Sequence, residues 1–242
     1  IDLEITDGWE NVPKIALALA SDDYLYGKPL PERAKRSFKD ESFSVVVDES
    51  DSAVIVWLIG ADERGVMFAA GHLLRTASIV SDKFTMNTSS QIKSEPEYTI
   101  RGHQLGYRNT ANSYDAWSKE QYEQYIRELA IFGSNCIETI PFDEAESPHM
   151  KISKTEMNHH ISTVCENYGL DYWIWTPVKV DLSDENFFYA EVKKHRDYYR
   201  QCPHLSHVFV PGGDPGDNHP RYVMPFLKAI SDELKNSHPD AG

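Results

Sequence analysis

Apolar and polar positions follow two different regimes along this chain. From about Tyr98 onward, four short runs stand out, "YTIRGHQLGYR", "NCIETIPF", "DYWIWTPV" and "HVFVPGG". They recur at intervals of roughly 35 residues, the length that a strand, a helix and a return to the same sheet require. Each is apolar without clean alternation, as in parallel strands buried on both faces. The segments between them carry helical periodicity and helix punctuation. Ser118 and Gln121 have capping-box spacing, followed by Tyr122, Tyr125, Ile126, Leu129 and Ala130 on one face. Ser153 and Glu156 repeat the box ahead of Met157, Ile161, Val164, Cys165 and Tyr168. Gly133 and Gly169 are placed as C-terminal stops. A third helix is predicted from about Asp184 to Arg200, before Pro203.

The first 95 residues have a different order. "PKIALAL", "FSVVVD" and "AVIVWLIG" predict three strands, and "ERGVMFAAGHLLRTAS" predicts one amphipathic helix with Val66, Met67, Ala70, Leu73, Leu74 and Ala77 clustered. The polar stretch "SSQIKSEPEY" is expected to be a linker. The chain is therefore expected to be α/β, with a small N-terminal α/β domain over 1–95 and four βα units over 96–242. The periodicity leaves two architectures open for those units, a doubly wound sheet or the first half of an eight-stranded (β/α) barrel. In the second case a fifth strand is due after "NSHPDAG", and a homodimer covering the open sheet edges is expected.

Composition narrows the partners. With 24 basic and 38 acidic residues the formal charge is −14, which disfavours nucleic acid and anionic membrane surfaces and points to a neutral partner. The chain has no apolar run near the length of a membrane span and no charged-then-apolar leader, so no membrane insertion is expected. A periplasmic or extracellular location after signal removal is the expectation. Cys136, Cys165 and Cys202 lie too far apart in sequence to define a disulfide framework or a Cys-x-x-Cys metal pair. His159 and His160 diverge on a helix, and His204 with His207 lacks further ligands at a zinc spacing. These histidines are expected to be solvated or capping. "DPGDNH" lacks the ligand pattern of a calcium loop. No metal or cofactor is expected.

The motifs "IGADERGVMFAAGHLLR" and "EPEYTIRGHQ" resemble the N-terminal domain and barrel entry shared by family 20 β-hexosaminidases and family 67 α-glucuronidases. The match rests on Gly60, Asp62, Arg64, Gly65 and Gly71 in the first and on Arg101 and Gly102 in the second. "PGGDP" is similar to the strand-four motif His-x-Gly-Gly-Asp-Glu of family 20, with Gly212, Gly213 and Asp214 kept. The resemblance implies a (β/α)8 glycoside hydrolase in which Asp214 orients the substrate's acetamido group and Arg101 holds sugar hydroxyls. Val210 and Pro215 stand where that family has histidine and its general acid. A relative with rearranged carboxylates is the expectation.

Position gives the candidates independently. In a (β/α) barrel the strand C-termini build the site. That selects His103, Gln104 and Arg108 after the first strand, and Glu138 and Asp143 on and after the second. Trp175, with Trp173, comes from the third, and Asp214 with Asp217 follows the fourth. Glycosidic cleavage needs a protonated carboxyl and an ionised one, so Asp214 and Glu138 are the catalytic candidates. Arg101, His103, Gln104, Arg108, Asp143, Trp175 and Asp217 are candidates for binding a carbohydrate substrate. Each has a plainer reading: Asp214 as a turn former, Glu138 as half of a structural ion pair with Arg101 or Arg108, and Trp173 and Trp175 as core. Two other functions stay open. One is a non-catalytic carbohydrate-binding protein. The other is a phosphate-binding doubly wound domain, which Asp214 and the missing N–H of Pro215 disfavour.

Overall fold

A computed structural model describes residues 8–32, 39–50, 52–86, 91–107, 113–140, 146–211 and 217–242. Arg108, Asp143 and Asp214 lie outside the described residues. The chain divides into two compact units, Ile1–Ile100 with Leu129–Gly133, and Arg101–Glu128 with Ser134–Gly242.

The first unit is a four-stranded sheet. Strands β1 (Lys14–Leu19), β4 (Phe43–Asp48) and β5 (Ile55–Gly60) are the three predicted, while β2 (Tyr24–Leu25) and β3 (Lys28–Pro29) form a short hairpin. Helix α1 (Glu63–Thr76) follows β5, and β6 (Ser78–Val80) and β7 (Lys83–Thr85) form a second hairpin. The stretch expected to be a linker contains β8 (Gln91–Ser94), which pairs antiparallel with β4. Its polar side chains do not oppose this, because an edge strand is held by its backbone and a lysine there discourages further pairing. The sheet order is β1-β5-β4-β8, and all of β5 is buried. Val56 and Leu58 pack with Phe68, Ala69 and Leu73 of α1, whereas Ile55, Trp57 and Ile59 face Ala16, Ala18 and Leu30.

The Gly60–Gly71 motif has a structural explanation here. Asp62 caps α1 by accepting from the Gly65 N–H at 2.8 Å, and its other oxygen accepts from the Glu41 N–H at 2.8 Å. Arg64 pairs with Glu41 at 3.0 Å. A methyl group on Gly65 would lie 2.4 Å from the Ser42 carbonyl oxygen, so glycine lets the helix start sit against β4's approach.

The second unit is a parallel sheet in sequence order. Strands β9 (Gly102–Leu105), β10 (Cys136–Thr139), β11 (Asp171–Trp175) and β12 (His207–Phe209) pair successively, all parallel. Helices α2 (Lys119–Ile131), α3 (Lys154–Asn167) and α4 (Glu185–Gln201) make the crossovers, and α5 (Pro220–Ser237) follows β12. The capping box forms at α2, where the Ser118 N–H donates to the Gln121 side chain at 2.9 Å and the Gln121 N–H to Ser118 Oγ at 3.3 Å. Ser153 and Asp184 cap α3 and α4. Gly133 and Gly169 have φ of 98° and 63°, the left-handed conformation that ends the first two helices. Tyr122, Ile126, Met157, Ile161 and Cys165 are buried beneath the helices with Leu105, Ile137, Tyr172 and Ile174 of the strands. All three cysteines are buried thiols outside any disulfide. Gly242 donates to the Ser206 carbonyl at 2.9 Å and accepts from the Val208 N–H at 3.2 Å, the bonding pattern of a parallel bridge to His207 at the outer edge of β12.

Gly65→Ala is expected to destabilise the protein by about 1–3 kcal/mol, the usual cost of forcing a group into a filled space. Thermal melting checks this, with Gly8→Ala, which meets nothing within 4 Å, as the neutral control.

Candidate functional site

Register and pleat together decide which side chains meet. Gln104, Glu138 and Trp173 are direct partners across β9, β10 and β11, and Trp173 is the partner of His207 on β12. Alternation sends these four to one face, with Trp175 and Phe209 one pleat nearer the strand C-termini. The opposite face carries Leu105, Ile137, Thr139, Tyr172, Ile174 and Val208. Tyr172 identifies that face as the helix side, since its hydroxyl lies 2.6 Å from Thr139 Oγ1 and 3.4 Å from the Tyr198 hydroxyl of α4. The row of Gln104, Glu138, Trp173 and His207 is therefore on the side free of this unit's described helices.

Within that row the contacts are specific. Gln104 Nε2 donates to Glu138 Oε2 at 2.5 Å. Trp173 and His207 stack, with ring centroids 4.4 Å apart and planes at 27°. Trp173 Nε1 and His207 Nδ1 are buried and meet no hydrogen-bond partner among the described residues. The expectation for His207 is a solvated or capping role, and its stack on the Trp173 indole with Nδ1 buried corrects it. Phe209, at the end of its strand, is 48% exposed and faces Trp175 across the ladder. Burial pushes the Glu138 carboxyl above its ordinary range, and the Gln104 bond pulls the other way.

The other candidates fall elsewhere. His103 points to the helix side, edge-on to Tyr125 of α2 at 5.6 Å, with its Nε2 3.5 Å from the Tyr125 hydroxyl. The structure therefore does not bring it together with Gln104 and Glu138. Arg101 precedes β9, where its N–H donates to Asn135 Oδ1 at 2.8 Å and its carbonyl accepts from the Asn135 N–H at 2.9 Å. Its backbone is at the strand's N-terminal end, away from the rim that Trp175 and Phe209 mark. Asp217 is exposed at that rim, in the segment leading from β12 to α5. Beside it, Asn218 accepts from the Leu182 N–H and donates to the Val180 carbonyl, both at 2.8 Å, and so clips two rim loops together. Sequence reasoning missed Asn218, whose only signal was its place after a strand. His204 has a structural role, with its Nε2 3.1 Å from the Leu170 carbonyl. Among the described residues no three His, Cys, Asp or Glu side chains are grouped to hold a metal ion. No described helix is long and apolar enough to cross a membrane.

This arrangement can do two things chemically. A half-buried carboxylate with one oxygen held by an amide can accept from hydroxyls or exchange a proton, and neighbouring aromatic faces can cover the C–H surface of a sugar ring. No family model and no curated protein matches the sequence. Solved structures do match. A family 20 β-N-acetylhexosaminidase from Streptomyces coelicolor A3(2) is 10% identical with a TM-score of 0.63, over 93% of this chain and 53% of that one. The β-N-acetylhexosaminidase from Bacteroides fragilis NCTC 9343 is 12% identical with a TM-score of 0.63, over 95% of this chain and 61% of that one. A family 138 enzyme targeting pectin rhamnogalacturonan II is 15% identical with a TM-score of 0.59, over 82% of this chain and 28% of that one. The chain has a glycoside-hydrolase-like fold. It spans less than two thirds of the length of each of these proteins.

Because burial raises the Glu138 carboxyl, the folded protein holds this proton more tightly than the unfolded chain. Stability that depends on it is present below the ordinary glutamate value and is lost as pH rises through the folded midpoint. Glu138→Gln is thus expected to melt higher than the unsubstituted protein at pH 7, with the difference vanishing near pH 4. Paired melting curves at the two pH values check it.

Proposed function

We propose that this chain is the carbohydrate-binding front portion of a glycoside hydrolase, comprising an accessory domain and the first four βα units of a (β/α) barrel. The observation that supports it best is the row of Gln104, Glu138, Trp173 and His207 on the helix-free face of a sequentially ordered parallel sheet. In a closed barrel that face lines the interior, and the strand C-termini form the site. The bridge between Gly242 and His207 lies at the edge where a fifth parallel strand would pair. A doubly wound sheet does not order its strands this way, because its strand order reverses at the binding crevice.

On this reading the substrate is a neutral glycan containing an N-acetylhexosamine. Two of the similar structures are named as β-N-acetylhexosaminidases, and a charge of −14 disfavours a polyanionic chain. Hydrolysis of its O-glycosyl bond uses carboxylate acid–base chemistry. Glu138 supplies one group, and Asp214, which follows β12 in the sequence, supplies the other. Trp175, Phe209 and Asp217 line the rim. Pro215, which stands in place of the family 20 acid, favours a second reading in which the same face binds a glycan without cleaving it.

Titration with N-acetylglucosamine oligosaccharides, followed by tryptophan fluorescence, is expected to show saturable binding that oligogalacturonides do not match. Trp175→Ala should weaken it roughly tenfold, about 1.4 kcal/mol. Absence of saturation with any neutral oligosaccharide contradicts the reading. Where turnover is detected, Asp214→Asn is expected to abolish it while binding is kept. Unchanged turnover removes Asp214 from the chemistry, and binding without turnover in the unsubstituted protein favours the second reading.

A further inference from the structure

The parallel register makes Gln104 and Glu138 adjacent side chains on one face, and their side chains are joined by the Nε2–H···Oε2 bond at 2.5 Å. Gln104 is itself exposed. Beyond Glu138 the row continues with the stacked rings of Trp173 and His207. An exposed glutamine on a strand has water available on every side. Here it is instead directed along the ladder to the half-buried carboxylate. Among the described residues no other hydrogen bond reaches that carboxylate.

We propose that Gln104 is a positioning residue for Glu138: its amide fixes Oε2 and leaves Oε1 as the oxygen presented to a ligand. This rests on the reading of Glu138 as a site carboxylate and replaces the expectation that Gln104 itself holds a sugar. The physical reason is geometric. A carboxylate rotating freely about its last bond presents either oxygen in any orientation, whereas one tied by a neighbouring strand offers a single lone-pair direction. A bond to the ionised form also favours that form, opposing the effect of burial. The titratable groups facing Glu138 among the described residues are few. Cys136 lies two residues back on its own strand, Asp171 is on β11, and His207 lies beyond Trp173 on β12, while β9 contributes none at Gly102 or Gln104.

The test is a residue-resolved carbon NMR titration of the Glu138 carboxyl, which separates it from Asp171 and His207. Gln104→Leu removes the donor at similar volume, and Gln104→Asn keeps an amide too short to reach. Both are expected to move the Glu138 midpoint upward, roughly a tenfold tighter hold on the proton. Gln104→Glu should move it further, because two adjacent carboxyls resist double ionisation. Circular dichroism reports whether each variant keeps the fold, and the exposure of Gln104 makes that the expectation. Affinity for N-acetylglucosamine oligosaccharides is measured in parallel. A positioning role predicts that part of the affinity loss of Gln104→Leu persists above the shifted midpoint, where Glu138 is ionised but no longer oriented. An unmoved midpoint in all three variants overturns the proposal, as does full recovery of the Gln104→Leu affinity once the pH exceeds the shifted midpoint. A moved midpoint with no oligosaccharide binding leaves Gln104 as the partner of Glu138 and rejects the glycan reading instead.

Discussion

The in-register parallel pairing of β9 to β12 is the constraint on which the rest depends. Each strand contributes only three to five residues, so a shift of one position anywhere would exchange the two faces completely. In the observed register the apolar positions Leu105, Ile137, Tyr172, Ile174 and Val208 fall to the helix side. Gln104, Glu138, Trp173 and His207 fall to the other. The core and the site are two consequences of the same set of backbone hydrogen bonds. Burial of the apolar set against the helices supplies the free energy, and the alternation of the pleat then dictates what the opposite face must display.

That opposite face is unusual for a sheet surface. It holds a half-buried carboxylate bonded to an amide, beside a stacked indole and imidazole whose buried Nε1 and Nδ1 atoms lack partners among the described residues. Polar groups left unsatisfied in the shelter of rings cost stability, and sites that bind polar ligands are where such costs are tolerated. Asn218 adds order at the rim by tying the β12–α5 segment to the β11–α4 loop. On the proposed reading this face meets a sugar, whose hydroxyls lie at its edges and whose C–H surfaces lie on its flat sides.

Much of this was legible in the chain. The capping pairs at Ser118 and Ser153 and the glycine stops at 133 and 169 placed the helices, because caps and left-handed turns are local requirements that short sequence windows can express. The four strands followed from their spacing. What the windows could not express was pairing. Residues 91–94 read as a linker because their polarity reflects an edge position, and only the ladder to β4 makes them a strand. His103 and Gln104 were equal candidates, and the face is settled by parity. His103 shares its side with buried Leu105, a period-two signal present in the sequence but usable only once the strand's core face was known. The Trp173–His207 stack needs the register between two strands separated by a helix, which no local pattern encodes.

The central claim is that the helix-free face of the second sheet receives a carbohydrate. It is tested most directly by intermolecular nuclear Overhauser effects from the ring protons of a bound N-acetylglucosamine oligosaccharide. The account predicts cross-peaks to the rings of Trp173, Trp175 and Phe209. Cross-peaks confined to Tyr125 and the helix side, or to residues of the first sheet, would contradict it.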